Sequence, residues 1–226
     1  MRISLQPGFI LHRRPYRETS LLLDVLTEEH GRISLIAKGV RTNRSTTRAI
    51  LQPFVPIFVS WQGKTELMTL ISTEANGLPM LLKGSSLLAA FYLNELLMYL
   101  LHKYDPHPKL YTIYRHTLIE LQAQPLEERV LRVFEKRLLE ELGYGLHLED
   151  EFNAEAYYQF YPEKGFKQCE NFEENPVMVF PGKSLIALAE EKLEEESVLK
   201  DVKRLMRLAF KPLLVGKELK SRELFI

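Results

Sequence analysis

Short apolar runs separated by polar turns dominate the first 80 residues. The runs are rich in Ile, Leu, Val, Phe and Thr, which is the composition of β-strands. One of them alternates, with Ile33, Leu35 and Ala37 on one face and residues 34, 36 and 38 (Ser, Ile and Lys) on the other. The pattern predicts five strands, over residues 8–13, 19–27, 32–39, 50–61 and 66–74. Five short strands favour a small barrel or sandwich, and a partly open OB-type barrel is the leading candidate.

The hydrophobic period changes to that of helices beyond residue 84. A stretch that is apolar nearly all round predicts a buried central helix, and amphipathic helices follow it. The segment 144–181 is aromatic and acidic with no clear period, so we expect an irregular insert there. The break near 77–84 divides the chain into an OB domain over 1–80 and a helical domain over 81–226, an α+β protein. The predicted helices cover residues 84–104, 107–124, 125–143, 183–194 and 197–215.

The charge of the chain is unevenly distributed. The 226 residues hold 30 Lys+Arg and 30 Asp+Glu, and such neutrality argues against nucleic-acid binding. Counted by half, however, residues 1–80 carry a net charge of +4 and residues 81–226 one of −4. Residues 32–48 contain five basic side chains and no acid, whereas 149–174 contain eight acids and two lysines. Neutrality is therefore a cancellation, and it leaves local binding of polyanions open.

The segment 38–48 has almost no apolar residues, so we expect an exposed loop between strands. Lys and Arg there can neutralise phosphates, and Ser and Thr can hydrogen-bond them. A solvated basic loop without a partner is the alternative. Tyr16, Phe54, Phe58 and Trp61 are candidate platforms for unstacked bases, although core packing is the more common role of such aromatics. The candidate DNA-binding residues are Arg13, Arg14, Arg32, Lys38, Arg41, Arg44 and Arg48.

Two further basic faces are expected on helices. On the helix predicted over 125–143, the spacing of Arg129, Arg132 and Lys136 places them on one face beside apolar residues such as Phe134. A cationic rim next to an apolar slot suits a short acidic peptide with a hydrophobic end, but an ordinary solvated face fits the pattern as well. Weaker basic-face candidates lie near the C-terminus, at Lys203, Arg204, Arg207, Lys220 and Arg222.

Nothing in the sequence indicates catalysis. No phosphate-loop, serine-hydrolase, zinc-protease or dinucleotide-binding motif is present. The one cysteine, Cys169, excludes an internal disulfide and a multi-cysteine metal site. We therefore expect a protein that is not an enzyme and has no cofactor. A reducing compartment, the cytoplasm, fits the cysteine content, and no signal peptide or membrane span is expected.

Several motifs resemble those of one bacterial family. The run over 8–41 contains the "RPYRET" turn, the "TEEHGR" hairpin and the "AKGVR" exit. Further segments match in order over nearly the whole chain: "LQPF" (51–54), "YLNELL" (92–97), "FEKRLLEELGYG" (134–145), "EKGF" (163–166) and "KPLLVGKELKSREL" (211–224). On these motifs the chain is identified as resembling the RecO family of DNA repair and recombination mediators.

The resemblance implies an activity and a set of partners. It implies binding of single- and double-stranded DNA, annealing of complementary strands without ATP, and a location in the cytoplasm at the nucleoid. It also implies work with RecR, and often RecF, to load RecA recombinase onto strands coated by single-stranded-DNA-binding protein. The acidic, hydrophobic tail of that coating protein is the kind of peptide the Arg129 face would accept. A protein-only adaptor with little DNA binding is the main alternative, and a nuclease is disfavoured by the missing motifs.

The sequence departs from the family at one point. Many family members have a four-cysteine zinc site after the "LGY" segment, but residues 146–170 contain only Cys169 here. A lone thiolate does not hold structural zinc. We therefore expect a helical domain that lacks the family's zinc site and is held by aromatic side chains instead. The candidates for that role are Tyr157, Tyr158, Phe160, Tyr161 and Phe166.

Overall fold

The chain folds into two compact units. A computed structural model describes residues 2–42, 47–123, 126–148, 151–170 and 176–221. The first unit comprises Met1–Gln124 together with Leu219–Ile226, and the second comprises Pro125–Glu218. The boundary expected near residue 80 separates strands from helices, whereas compactness groups the first two helices and the end of the chain with the strands.

Five strands form a closed barrel in the first unit. They are β1 (Arg2–Tyr16), β2 (Ser20–Thr27), β3 (Gly31–Ala37), β4 (Pro56–Gln62) and β5 (Leu67–Ala75). Their order around the barrel is β1-β2-β3-β5-β4, with β3 and β5 parallel and the other pairs antiparallel. The five-stranded OB-type barrel predicted from the alternating pattern is thereby confirmed.

The strand pattern fixes which side chains fill the barrel. Along β3 burial alternates with every residue, and Ile33, Leu35 and Ala37 are almost fully buried, as their spacing predicts. The strand expected over 50–61 begins later, at residue 56, because Pro53 and the left-handed Phe54 (φ 64°) interrupt the extended backbone before it.

Two helices complete the first unit: α1 (Gly84–Leu100) and α2 (Pro108–Glu120). The buried Asn94 of α1 donates from Nδ2 to the carbonyl oxygen of Leu11 on β1 (2.8 Å) and accepts from the hydroxyl of Tyr114 on α2 (2.5 Å). Phe9 of β1 packs edge-on against the Tyr114 ring. These contacts tie the barrel to both helices. None of the described helices, α1 included, is long and apolar enough to span a membrane.

A close backbone approach joins the β2–β3 turn to the segment after α1. Gly31 has φ +65°, and a Cβ built on it would lie 2.0 Å from the carbonyl oxygen of Asp105. Only glycine fits there without displacing the backbone. The approach allows the N–H of Tyr104 to donate to the carbonyl of Arg32 (3.0 Å).

The end of the chain returns to α1. Leu219 is buried, and one carboxylate, that of Glu95 on α1, accepts the backbone N–H groups of Lys220 (3.0 Å) and Ser221 (2.9 Å) and the Ser221 hydroxyl (2.6 Å). A carboxylate that accepts two backbone N–H groups and a hydroxyl makes charge-assisted hydrogen bonds, which are the stronger kind. The polar tail seen in the sequence is therefore an ordered part of the first unit as far as residue 221.

The second unit contains three helices and a small sheet. The helices are α3 (Glu128–Glu141), α4 (Gly182–Ala189) and α5 (Glu196–Leu213). The insert expected to be irregular contains three strands, β6 (Tyr157–Tyr161), β7 (Gly165–Cys169) and β8 (Val179–Pro181), in the order β7-β6-β8. The expectation of an irregular segment was wrong because the strands are only three to five residues long and aromatic on both faces, which hides their period.

Aromatic rings pack together where that sheet meets the preceding loop. Phe152 lies edge-on to Tyr158 (5.0 Å between ring centroids) and to Phe166 (5.6 Å), and Phe166 contacts Phe160 (5.2 Å). The Tyr158 hydroxyl accepts the N–H of Asn153. Of the expected aromatic side chains, Tyr157 and Tyr161 are largely exposed, so the packing depends on the other three and on Phe152.

We expect replacement of Asn94 by Ala to lower the free energy of unfolding of the first unit by roughly 2–4 kcal/mol. The Leu11 carbonyl and the Tyr114 hydroxyl would then be buried without their partner, and each such group costs about 1–3 kcal/mol. Trp61, the single tryptophan, is buried in the barrel, so its fluorescence in a urea titration reports this unit. The exposed Ile119→Ala is the control. A midpoint for Asn94→Ala equal to that of the control would contradict the assigned role.

Candidate nucleic-acid interface

One end of the barrel collects basic side chains from three chain segments. Leu21 of β2 lies opposite Pro15 on one side and Ala37 on the other, so the β1–β2 turn and the exit of β3 are neighbours. The turn carries arginines and so does the segment after β3, and a 3-10 turn at Thr47–Ala49 contributes another. We call this surface the basic end. Its described members are Arg13, Arg14, Arg17, Lys38, Arg41 and Arg48.

The backbone holds the basic end together through Arg41. Its N–H donates to the carbonyl of Thr19 (2.9 Å), and its guanidinium donates to the carbonyl of Arg17 (3.0 Å). Arg17 itself has φ 50° and lies over the ring of Tyr16, 5.3 Å from the centroid. Arg41 thus positions the turn with part of its donor capacity, since a guanidinium carries five N–H groups.

Arg13 and Arg48 lie close enough to repel each other. Partial burial, and then the positive charge of Arg48, lower the pKa of Arg13 below its usual value. Arg13 also donates to the carbonyl of Leu51 (3.1 Å). Among the residues that the structure describes, no carboxylate forms an ion pair with either guanidinium. Two like charges without a counter-charge favour the arrival of an anion.

Arg32 does not belong to the basic end. It sits at the opposite end of β3, where Nε and Nη2 donate to the carbonyl of Leu101 (3.2 and 3.0 Å) and Nη1 lies 3.6 Å from an Asp24 carboxylate oxygen. Its side chain is 13% exposed. The structure therefore engages it in packing against α1, away from the basic end, and its contact with DNA stays a prediction. Arg44, another of those candidates, lies outside the described residues.

Two of the four candidate aromatic platforms are buried. Trp61 and Phe54 are 3% and 5% exposed, so both have the core-packing role that is the more common one for such aromatics. Tyr16 is half-buried under Arg17, and Phe58 is half-buried on β4. The sequence missed Arg17, although it lies in the same "RPYRET" turn as the arginine-rich end of β1.

On α3, the cations expected to share an accessible face are all engaged. Arg129 pairs with Glu127, and Lys136 contacts a Glu191 oxygen (3.1 Å). Arg132 is 7% exposed and pairs with the fully buried Glu135 at 2.9 Å. The expectation of a three-cation rim open to solvent was wrong for Arg132, because that position of the helix faces the interior. Phe134, 1% exposed, is likewise core.

The basic face of α5 is divided between structural and exposed residues. Arg204 donates to the carbonyls of Val177 (3.2 Å) and Val179 (3.0 Å), pairs with Asp201 and lies over the Phe180 ring. Lys203 pairs with Glu128 on α3. Arg207 and, in the first unit, Lys220 are exposed, and Arg222 lies outside the described residues.

The family resemblance raised the question of a structural zinc ion, and the residues present do not fit one. Cys169, the one cysteine of the chain, lies half-buried at the end of β7. No cluster of three His, Cys, Asp or Glu side chains is close enough to ligate a metal within the described ranges. Structural zinc needs four such ligands. The strands of this region pair through their backbones, and aromatic side chains pack beside them.

We expect Arg132→Met to destabilise the second unit by about 3–5 kcal/mol, because the buried Glu135 carboxylate would lose the guanidinium of Arg132. The double variant Arg132→Met/Glu135→Met removes both charges and should regain most of that loss. Urea unfolding followed by far-ultraviolet circular dichroism measures both. Equal stability of the single and double variants would show that the pair is not coupled.

Two family models and several curated proteins match the sequence of this chain. The family model described as "Recombination protein O N terminal" matches residues 1–77, and that described as "Recombination protein O C terminal" matches 82–223. Among curated proteins, DNA repair protein RecO of Coxiella burnetii (strain RSA 493 / Nine Mile phase I) is 48% identical over 229 residues, covering 99% of this chain and 98% of the relative. DNA repair protein RecO of Nitrosococcus oceani is 43% identical (99% and 93% covered), and that of Aliivibrio salmonicida is 42% identical (100% and 97%). The junction between the two models coincides with the change from strands to helices, and the chain belongs to the RecO family of DNA repair proteins.

Proposed function

We propose that the chain binds single- and double-stranded DNA, anneals complementary strands and, with RecR, loads RecA onto strands coated by single-stranded-DNA-binding protein. RecF is a further partner in this proposal, and the place of action is the cytoplasm at the nucleoid. The observation that supports DNA binding most directly is the basic end. Its cations come from three segments and, among the described residues, form no ion pairs with carboxylates.

Annealing requires no covalent chemistry. Two DNA strands repel each other through their phosphates, and a surface that neutralises phosphates lowers this repulsion. The basic end reads no base edge, so binding there is independent of sequence, which annealing of arbitrary strands demands. The absence of catalytic motifs in the sequence agrees with a mediator that works by binding alone.

Recruitment to coated strands would depend on the second unit. The acidic tail of the coating protein is negatively charged, as is Glu127. The exposed Arg129 of α3 already pairs with Glu127. Exposed ion pairs contribute roughly 0–1 kcal/mol, so a peptide carboxylate can replace Glu127 at little cost. We infer that Arg129 exchanges its internal acid for one of the tail. Lys136, 12% exposed and held by Glu191 and the Ala189 carbonyl, borders this site, and Arg132 supports the helix from within.

A protein-only adaptor is the competing function. It would bridge repair proteins with little DNA contact, and the partnered cations of α3 are compatible with it. Salt dependence separates the two functions, because binding through phosphates weakens steeply as salt rises and an apolar protein contact does not.

We expect Arg14→Ala/Lys38→Ala/Arg48→Ala to weaken oligonucleotide binding and to flatten its salt dependence. Removing three phosphate contacts should reduce the slope of log K against log salt by about 2 for a single strand. Fluorescence anisotropy with a labelled oligonucleotide measures this slope. The salt concentration is varied from about 50 to about 200 mM, where binding through phosphates changes steeply. The matched control replaces three exposed lysines of the second unit, Lys164, Lys183 and Lys200. Equal slopes for wild type and the basic-end variant would remove this surface from the DNA site.

We expect annealing of complementary strands coated by the single-strand-binding protein to require the tail of that protein and Arg129. Deleting the tail, or replacing Arg129 with Glu, should slow annealing of coated strands while leaving annealing of bare strands unchanged. Fluorescence quenching between end-labelled strands follows both reactions. Lys164→Glu, another exposed cation of the second unit, is the matched control. Slow annealing with the control and normal annealing with Arg129→Glu would move the tail site away from α3.

A further inference from the structure

A cavity of about 800 Å³ opens in the first unit beside the basic end. Its walls come from β1, from the segment after the 3-10 turn, from α1 and from the returning C-terminal segment. All of these belong to one compact unit, so the cavity does not depend on the second one. Its volume falls within the roughly 300–1,000 Å³ of small-molecule sites.

One wall of the cavity is apolar and partly aromatic. Phe91 projects from α1 with 41% of its surface exposed, and its ring is held by an edge contact with Phe54 at 5.0 Å between centroids. Pro53 extends this wall, and so does Met98, about two turns beyond Phe91 on α1. A ring fixed by packing yet open to solvent loses little freedom when it stacks on a ligand.

The cavity also has cationic residues in its lining. Arg13 borders it, with Arg48 close enough to repel Arg13, and Lys220 enters from the C-terminal segment. The acid of the cavity, Glu95, has both oxygens occupied by the Lys220 and Ser221 donors. Those hydrogen bonds weaken its repulsion of an incoming anion and at the same time fix the backbone from which the Lys220 side chain extends.

We propose that this cavity receives one unstacked nucleotide of a DNA strand, with the base against Phe91 and Met98 and the phosphate between Arg13 and Lys220. The assignment rests on the proposed binding of DNA at the basic end, and it adds a place where a single strand is distinguished from a duplex. Arg13 belongs to both surfaces, so a strand on the basic end passes the mouth of the cavity.

The chemistry favours a nucleotide over an apolar peptide. An apolar side chain alone would leave two cations unsatisfied, whereas a nucleotide brings a flat ring and an anion at a fixed separation. An acidic peptide with a hydrophobic end also brings both groups, and unchanged DNA binding by Phe91→Ala would favour that occupant instead. A duplex cannot supply that ring without breaking a base pair, and this costs a few kcal/mol. The cavity therefore contributes to the binding of single strands alone.

The test compares Phe91→Ala with wild type on three probes: oligothymidylate of about 30 nucleotides, the same length made of abasic sites, and a duplex. Stacking of one base is worth roughly 1–3 kcal/mol, so Phe91→Ala should weaken oligothymidylate binding about tenfold. Binding to the abasic strand and to the duplex should not change. The salt slope should also stay constant, because no phosphate contact is removed. Ile119→Ala, an exposed apolar residue of α2 outside the cavity, is the matched control.

The outcomes separate this proposal from DNA binding as such. Equal weakening on strand, abasic strand and duplex, or no weakening on any of them, would overturn the nucleotide site while leaving the basic end in place. Loss of binding to purified RecR with unchanged DNA binding would reassign the cavity to a protein partner. A wild-type protein that binds none of the three probes at low salt would instead refute the proposed DNA binding itself. Thermal unfolding followed by Trp61 fluorescence checks that Phe91→Ala is folded.

Discussion

The arrangement of the first unit depends on two adjacent side chains of α1. Asn94 points inward and joins a strand of the barrel to α2, and Glu95 holds the last described residues of the chain. Both are polar groups whose hydrogen bonds are made inside or at the edge of packed protein, where an unmet donor or acceptor is costly. Since the barrel, both helices and the C-terminal segment meet at this one turn of α1, the basic end and the cavity beside it share a single rigid support.

That arrangement explains why the domain boundary expected from the hydrophobic pattern differs from the boundary between the two compact units. The hydrophobic period changes near residue 80, and the family models change there too, because one half was built from strands and the other from helices. Packing follows hydrogen bonds and buried rings instead, and Asn94, Tyr114 and Phe9 place α1 and α2 with the strands. The second unit is therefore inserted between two segments of the first unit, one ending after α2 and the other beginning at residue 219.

The barrel was predictable from sequence because alternation on a half-buried strand is a strong signal, as in Ile33, Leu35 and Ala37. Its basic end was predictable in part, since Arg14, Lys38, Arg41 and Arg48 lie where the charge count places them. The fate of each arginine was not predictable, because Arg32 and Arg132 lie in the same kind of sequence as their exposed neighbours. What decides their role is a distant partner, the Leu101 carbonyl for one and burial beside Glu135 for the other. The short aromatic strands of the second unit were missed because an alternation of buried and exposed residues cannot be recognised over only three to five residues.

The return of the chain to α1 has a consequence for the gene as well as for the fold. By composition, the residues after α5 form a polar tail. Leu219 in the core and the donors held by Glu95 make that stretch part of the barrel unit, although the 94 residues of the second unit separate it from the rest. Selection on the codons for residues 219–221 therefore acts through folding of the N-terminal half, and a stop codon before Leu219 would damage a domain that was translated first.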